Sequence, residues 1–197
     1  MSIKLKHPLV LASASPRRQA LLREAGYVFD VIASEISEPS LPENQSVNAG
    51  VWAEALAYFK ARAVNVDYPD AIVVGADTVV VHGDSIMGKA ADVDEARKIL
   101  TTMFGGKNEV ITGLAILKLN STERIITHVT STLMMREMNE QEVEDYLASG
   151  AWRDKAGAYA LQEGGDQFLE SIDGSYSNVV GLPMEKLNAL LQPFLEG

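Results

Sequence analysis

The 197-residue sequence contains no cysteine, and this absence excludes several kinds of chemistry. A disulfide scaffold, a thiolate metal site and a cysteine nucleophile are ruled out, while a reducing compartment remains compatible with the sequence. Long apolar runs are also missing. The N-terminal segment has only a short apolar stretch, well below the roughly 20 residues of a membrane span and without the longer core of a signal peptide. We therefore expect a cytoplasmic protein with no membrane partner.

Basic residues are scarce and scattered. The chain has 17 Lys and Arg against 27 Asp and Glu, a formal net charge of −10, and its longest basic run is the pair Arg17 and Arg18. A surface that binds nucleic acid through many phosphate contacts needs more positive charge than this. We therefore expect no nucleic-acid partner and only small anions as ligands.

Predicted strands and helices alternate along the whole chain. An apolar run at 9–12 predicts a buried first strand, and Ser15, Pro16 and Gly26 predict the cap, first residue and end of a helix. A weak strand at 27–33, a polar loop at 34–45 and a helix from about Ser46 are predicted next. A strand through 71–81 and a helix at 92–103 follow, and then strands at 110–119 and 124–134 joined by a hairpin. The last predicted elements are a helix between Asn139 and Gly150 and a segment with helical spacing at 182–195. In the helix from Ser46 the apolar stripe is Trp52, Ala55, Leu56, Phe59 and Ala63. This order predicts an α/β fold with a mixed twisted sheet and flanking helices.

The segment from Ser13 to Arg18 joins the first strand to the first helix. Backbone N–H groups and the helix dipole favour an anion there, and Arg17 and Arg18 add two positive charges in the first turn. Positive charge is unfavourable at a helix N-terminus unless an anion compensates it. This pattern indicates a phosphate site, and the alternative is a plain helix cap with solvated arginines.

Asp77 lies between two β-branched runs and is predicted to sit in the middle of a buried strand. An unpaired buried carboxylate is costly, so a metal, a cation or hydrogen-bond donors must lie beside it. We interpret Asp77 as a metal ligand or general base, and the alternative is an aspartate that caps a bulge at Gly75. Glu38 is a weaker candidate metal ligand, because it is one of several acids in a polar loop. The sequence has no cysteine and no histidines at the spacing of a metal site, so no such ligands compete for a metal.

Other residues could meet a phosphate or a base. Lys60, Lys89 and Lys155 are candidate point charges for phosphate, although each alone is typical of a surface. A glycine-rich region around 154–159 allows close approach of the backbone to a ligand, or is simply a loop with tight turns. Gln162 carries both a donor and an acceptor, which suits the edge of a nucleobase. The sequence has neither a P-loop string nor a dinucleotide fingerprint.

Three strings together resemble the Maf family of nucleoside triphosphate pyrophosphatases. They are S-A-S-P-R-R at 13–18, G-A-D-T at 75–78, and D-K-A-G-A-Y at 154–159 with the later G-S-Y and V-G-L-P. The resemblance implies a single domain over 1–197, an α/β fold similar to that of inosine-triphosphate pyrophosphatases with a cleft between two lobes, and hydrolysis of a nucleoside triphosphate to the monophosphate and pyrophosphate with Mg²⁺ or Mn²⁺. It implies these roles: Asp77 as proton acceptor; Arg17, Thr78 and Gln162 in substrate selection; Ser13, Arg18, Lys60, Lys89 and Lys155 along the phosphates.

The same resemblance favours the branch that acts on dTTP and UTP, and modified pyrimidine nucleotides, over the branch that prefers 7-methyl-GTP, because of Arg17, Thr78 and Gln162. Phe59, Ala90 and Asn108 depart from the family pattern, where glutamate, proline and histidine are usual. A regulator of septum formation that binds nucleotide without turnover and a pyrophosphatase for ITP or XTP remain alternatives. A homodimer is compatible with the sequence.

Overall fold

The computed structural model describes residues 3–37, 39, 47–121, 123–153, 155–159, 161 and 166–196. Within these residues strands and helices alternate, as the sequence predicts. The strands are β1 (Leu9–Leu11), β2 (Asp30–Val31), β3 (Ile72–His82), β4 (Ser85–Met87), β5 (Lys107–Lys118), β6 (Glu123–Met135) and β7 (Leu169–Asp173). The helices are α1 (Pro16–Glu24), α2 (Ala49–Asn65), α3 (Val93–Met103), α4 (Glu140–Ser149), α5 (Tyr176–Val180) and α6 (Met184–Leu191).

The strands form one mixed sheet. Its order is β2-β1-β3-β5-β6-β7, and β4 pairs with β3 outside this path. Strand β1 is parallel to both β2 and β3, whereas β3 with β4 and β6 with β7 are antiparallel. The predicted α/β class with a mixed sheet and flanking helices is confirmed.

The chain divides into two compact units. The first comprises Met1–Asp77, Thr112–Val129 and Gly181–Gly197, and the second comprises Thr78–Ile111 and Thr130–Val180. The first unit has one apolar cluster that includes residues of β1, α1 and α6, and another that includes Ala57, Ala61 and Val64 of α2. The second unit has its own core, which includes residues of α3 and α4 and the ring of Phe168.

Local capping chemistry sets the ends of α1 and α4 where the sequence predicts them. Ser15 caps α1, and Pro16 is its first residue. Asn139 and Glu142 form a reciprocal capping box at the start of α4, and Gly150 ends that helix in a left-handed conformation. The Arg136 guanidinium, together with the backbone amide of Asn139, lowers the pKa of Glu142 to about 2. These helices are therefore specified by a few neighbouring residues.

The predicted packing face of α2 is only partly right: Leu56 is buried and Trp52 and Ala55 are half-buried, but Phe59 and Ala63 are not part of the buried face. The buried residues of this helix are Gly50, Ala53, Leu56, Ala57, Ala61, Val64 and Asn65, whereas Phe59 is 50% exposed and Ala63 is exposed. The cause is the very close approach of α2 to the sheet: a Cβ built on Gly75 of β3 would lie 2.3 Å from the carbonyl oxygen of Ala57, and one on Gly113 of β5 would lie 2.1 Å from that of Ala53. Only small residues fit between backbones this close, so the alanines face the sheet.

Smaller differences concern the ends of elements. The strand predicted at 27–33 is reduced to Asp30–Val31, whose two residues are exposed, and β4, β7 and α5 were not predicted. Helix α2 begins at Ala49, capped by Asn48, and Ser46 lies outside the described residues. Within the described part of the chain, the helices are too short or too polar to cross a membrane.

Candidate active site

The segment between β1 and α1 is held by its own side chains. Ser13 is buried, and its Oγ accepts hydrogen bonds from the Ser15 backbone N–H at 3.3 Å and from Nη1 of Arg18 at 3.1 Å. Nε of Arg18 donates to the carbonyl oxygen of Gly181 at 2.7 Å. Arg18 is therefore fixed in place over the first turn of α1, unlike the solvated arginine of the alternative interpretation. Arg17, beside it, is half-buried.

Asp77 lies in β3 and is paired with a cation. Asp77 is only 8% exposed, and Nζ of Lys60 donates a hydrogen bond to its Oδ1 at 2.5 Å. Lys60 lies on α2, whose alanine face rests against Gly75, two residues before Asp77. The close packing of helix on strand thus brings the two side chains together. Gly75 marks this close contact, and the partner that the buried carboxylate requires is the ammonium of Lys60.

Strand order and register place the Ser13–Arg18 segment and Asp77 at the same level of the sheet, near the carboxyl end of β1. From β1 the chain passes through α1 to β2 on one side, and β3 lies on the other side of β1, so the connections change direction at β1. Ligands of open α/β sheets bind beyond the carboxyl ends of the strands at such a switch point. Leu11 pairs with Val74, so Ser13 and Asp77 follow the paired residues by two and three positions on parallel neighbours. Both lie in the first unit.

The second unit places two of the candidate lysines on adjacent segments. Lys89 forms an isolated antiparallel bridge with Ala156, and the N–H of Gly157 donates to the carbonyl oxygen of Gly88 at 2.9 Å. Lys155 is the residue before the bridge partner of Lys89. The turn that follows has positive φ at Gly157 (69°) and at Ala158 (52°). A non-glycine residue in this conformation is strained, and such strain is concentrated at ligand sites.

Thr78 is the residue of β3 that follows Asp77, and it is partly exposed. Successive side chains of a strand point to opposite faces. Thr78 therefore projects from the face of β3 opposite to the Asp77 carboxylate.

The G-S-Y string, at 174–176, has a structural explanation. Ser131 Oγ accepts from the N–H of Ser175 at 3.0 Å and donates to the carbonyl oxygen of the same residue at 3.0 Å. The side-chain amide of Asn178 donates to Ser131 Oγ and to the carbonyl oxygen of Val110. A Cβ on Gly174 would lie 2.7 Å from Ser131 Oγ. This string thus takes part in a buried polar network in the second unit. In the sequence, the spacing of Ser175 and Asn178 was the signal that could have indicated this network.

The three departures from the family pattern lie in different surroundings. Phe59 is half exposed, and Ala90 packs at the edge of the core of the second unit. Asn108 is 1% exposed, with its amide donating to the carbonyl oxygen of Met103 and its Oδ1 lying 2.8 Å from Nδ1 of His82. Asn108 therefore satisfies the end of α3 and is part of the structure of that unit.

Two predicted site residues, Glu38 and Gln162, lie outside the described residues, as does Asp154. Among the residues that the structure describes, His, Asp and Glu form no group of three or more able to hold a metal ion. The Asp77 carboxylate has the oxygen ligands that Mg²⁺ prefers, and proteins commonly hold this ion with only one or two carboxylates.

Comparison with known proteins gives a consistent result. A family model described as "Maf-like protein" matches residues 8–194. The dTTP/UTP pyrophosphatase of Desulforamulus reducens is 41% identical over 187 residues, 95% of this chain and 96% of the relative. That of Alkaliphilus metalliredigens is 42% identical over 184 residues, 93% and 94% of the two chains. A solved structure of a HAM1 protein from Coxiella burnetii aligns at a TM-score of 0.45 and 18% identity, covering 95% of this chain and 99% of that one, which is too distant for a closer structural comparison. On the family match and the two close relatives, this chain belongs to the Maf-like family.

Proposed function

We propose that this protein is a nucleoside triphosphate pyrophosphatase that hydrolyses dTTP and UTP, and modified pyrimidine nucleotides of the same shape, to the monophosphate and pyrophosphate. The names of its relatives at about 40% identity support the substrates. The structural observation that carries the proposal is the buried Asp77–Lys60 pair beside the Ser13–Arg18 segment at the carboxyl end of β1. A fixed carboxylate next to a helix N-terminus, the end of a helix that favours anions, suits attack of water on a phosphate.

The proposed reaction is the attack of water on the α-phosphorus. A bond forms between the water oxygen and the α-phosphorus, the bond from the α-phosphorus to the bridging oxygen breaks, and pyrophosphate leaves with the electron pair. The Asp77 carboxylate takes the proton of the water. Because Lys60 contacts Oδ1, we assign the proton to Oδ2 and give Lys60 the role of positioning Asp77.

Phosphate-binding roles are proposed for residues of each unit, taken separately. The N-terminal amides of α1 and the guanidinium of Arg18, already oriented by Ser13, suit phosphate oxygens. In the second unit the paired segments of Lys89 and Lys155 add two ammonium groups. A direct contact of Lys60 with phosphate is a further part of the proposal.

The divalent cation that the family resemblance implies is also part of the proposal. Asp77 would hold it together with oxygens of the triphosphate, and Glu38 is the second candidate ligand. When bound, Mg²⁺ or Mn²⁺ spreads the negative charge that develops on the phosphates. Full activity in excess chelator would contradict this assignment.

Substrate selection is assigned to Arg17, Thr78 and Gln162. The amide of Gln162 can donate to and accept from a pyrimidine edge, whereas a mismatched base leaves one of these groups unpaired. An unpaired polar group in a water-poor site costs about 1–3 kcal/mol, so we propose a preference for pyrimidines and not absolute selection. The family match over 8–194 supports a single functional domain. A cytoplasmic location, as the sequence analysis expects, is also part of the proposal.

The test is pyrophosphate release from a panel of nucleoside triphosphates with Mg²⁺ or Mn²⁺. We expect dTTP and UTP to be the preferred substrates, and Asp77→Asn to lower turnover about 10²- to 10⁴-fold with an unchanged fold. Binding of nucleotide without any release of pyrophosphate would favour the regulatory alternative. A preference for 7-methyl-GTP, ITP or XTP would overturn the pyrimidine assignment and leave the pyrophosphatase assignment intact.

A further inference from the structure

A pocket in the first unit lies away from the candidate active site. It has a volume of about 350 Å³ and is formed by the C-terminal half of α2 and the connection between β5 and β6, with Tyr58, Arg62, Asn65, Lys118 and Arg124 among its lining residues. This volume is at the lower end of the range of small-molecule sites, about 300–1,000 Å³. It is far larger than the space of one water molecule, about 30 Å³. The pocket is therefore large enough for a small organic molecule.

Helix geometry separates this pocket from the Asp77–Lys60 pair. Tyr58 and Arg62 are each two residues from Lys60, and at about 100° per residue they project from the opposite side of α2. The connection between β5 and β6 lies near the start of β3, where the N–H of Asn120 donates to the carbonyl oxygen of Pro69 at 3.2 Å. Asp77 lies five residues after the first residue of β3, about 16 Å further along the strand. The two sites therefore face different surfaces.

Two buried donors point to an occupant of the pocket. Nη1 of Arg62 and Nδ2 of Asn65 are inaccessible to solvent and have no hydrogen-bond partner among the described residues. Asn65 is only 1% exposed. The two residues are three apart on α2 and so lie on one face of the helix. Buried N–H groups in folded proteins are almost always paired with protein, ligand or ordered water, so an acceptor is expected for each of these donors.

The charges of the lining favour a dianion. Arg62, Lys118 and Arg124 supply three positive charges, against one negative charge from Glu123, which also lines the pocket. Oε2 of Glu123 already accepts a hydrogen bond from Ser121 Oγ at 2.8 Å. The net charge of +2 matches a phosphate monoester, which carries about −1.5 to −2 at pH 7, better than a single carboxylate.

We propose that this pocket binds a small organic phosphate monoester. The guanidinium of Arg62 and the amide of Asn65, whose buried donors become accessible when these side chains turn into the pocket, donate to its phosphate oxygens, and Lys118 and Arg124 complete the charge balance. The organic part lies against the ring of Tyr58, which accounts for a volume larger than an inorganic anion requires. The site is distinct from the one proposed for the triphosphate and does not depend on that function.

The test is NMR titration of ¹⁵N-labelled protein with ribose 5-phosphate, observing the side-chain amide of Asn65. We expect saturable shifts with ribose 5-phosphate, weaker binding of inorganic phosphate, and none with ribose or acetate. Asp77→Asn should leave the dissociation constant unchanged. Arg62→Gln should raise it about tenfold or more, because a charge-assisted hydrogen bond is lost. Lys107→Gln, which removes one exposed positive charge in the second unit, is the matched control.

Several results would overturn the proposal. One is an Asn65 side-chain amide signal that does not respond to ribose 5-phosphate, as expected if the amide contacts only a bound water. Another is that acetate shifts this signal as much as ribose 5-phosphate does. The others are that Arg62→Gln and Lys107→Gln weaken binding equally, and that Asp77→Asn abolishes binding. If Arg62→Gln does not fold, Arg124→Gln at the exposed rim replaces it. That variant should weaken binding severalfold, and unchanged binding would count against the proposal.

Discussion

Replacing Gly75 by alanine tests the contact that brings α2 to the sheet. The added Cβ would lie 2.3 Å from the carbonyl oxygen of Ala57, and 2.8 Å from both the backbone nitrogen and the Cβ of Ala61. These atoms belong to the helix backbone or are attached directly to it, so no side-chain rotation relieves the contact. In Gly75→Ala the helix must therefore move away from β3 or the strand must bend.

The expected cost follows from overpacking of a tight interface. Such changes destabilise by about 1–3 kcal/mol, and sometimes more. For a chain of this size each kcal/mol lowers the melting temperature by about 2–4 °C, so Gly75→Ala should melt about 2–12 °C lower. Activity should fall as well, because Lys60 lies on the displaced helix and Asp77 lies two residues from the substitution. The combined loss distinguishes this contact from one that matters only for stability.

A series of glycine substitutions gives the controls, read by thermal and urea unfolding and by pyrophosphate release. Gly113→Ala meets the backbone of α2 at 2.1 Å and should resemble Gly75→Ala in stability. Gly88→Ala meets nothing within 4 Å and should be neutral for stability. Gly50→Ala meets only the ring of His128, a side chain that can move aside at the cost of its exposed contact with Glu54, so it should cost less than Gly75→Ala. If Gly75→Ala unfolds like Gly88→Ala, the proposed packing of α2 is wrong.

Three further predictions concern charge and specificity. Lys60→Met should lower the free energy of unfolding by about 3 kcal/mol in urea, because it leaves the Asp77 carboxylate buried without its partner. In the double variant with Asp77→Asn, stability should recover but pyrophosphate release should not. Glu142 has a folded pKa of about 2, below its ordinary value of 4.5, because of Arg136, so its contribution is complete above about pH 4.5 and disappears as the pH falls towards 2. The urea midpoint of wild type should therefore approach that of Glu142→Gln over this range, and a constant difference would contradict the assignment. Gln162→Ala should reduce kcat/KM for dTTP and UTP about 5- to 150-fold more than for GTP, and an equal loss for all three would show that the residue does not read the base.

The elements that the sequence predicts best are those whose ends depend on neighbouring residues. Ser15 and Pro16 specify the start of α1, and the Asn139–Glu142 box specifies that of α4, through contacts that span a few residues. The packing face of α2 could not be predicted in this way. Ranking residues by hydrophobicity favours Phe59 as a packing residue, but the sheet beneath the helix presents Gly75, which admits only alanines. The information that decides the face lies in a different part of the chain.

In the candidate site, too, some features can be predicted from neighbouring residues and others depend on distant parts of the chain. That Asp77 needs a metal, a cation or hydrogen-bond donors follows from its place in a β-branched strand, but the sequence does not identify which group this is, and Lys60 was predicted only as a contact for phosphate. The structure selects Lys60 because the alanine face of α2 lies on the sheet, which leaves Phe59 half exposed and directs Lys60, the next residue, towards Asp77. Had the predicted stripe packed on the sheet, the helix would be turned about its axis and Lys60 would point elsewhere. The small residues of α2, which carry no chemistry, therefore determine which cation meets the buried carboxylate.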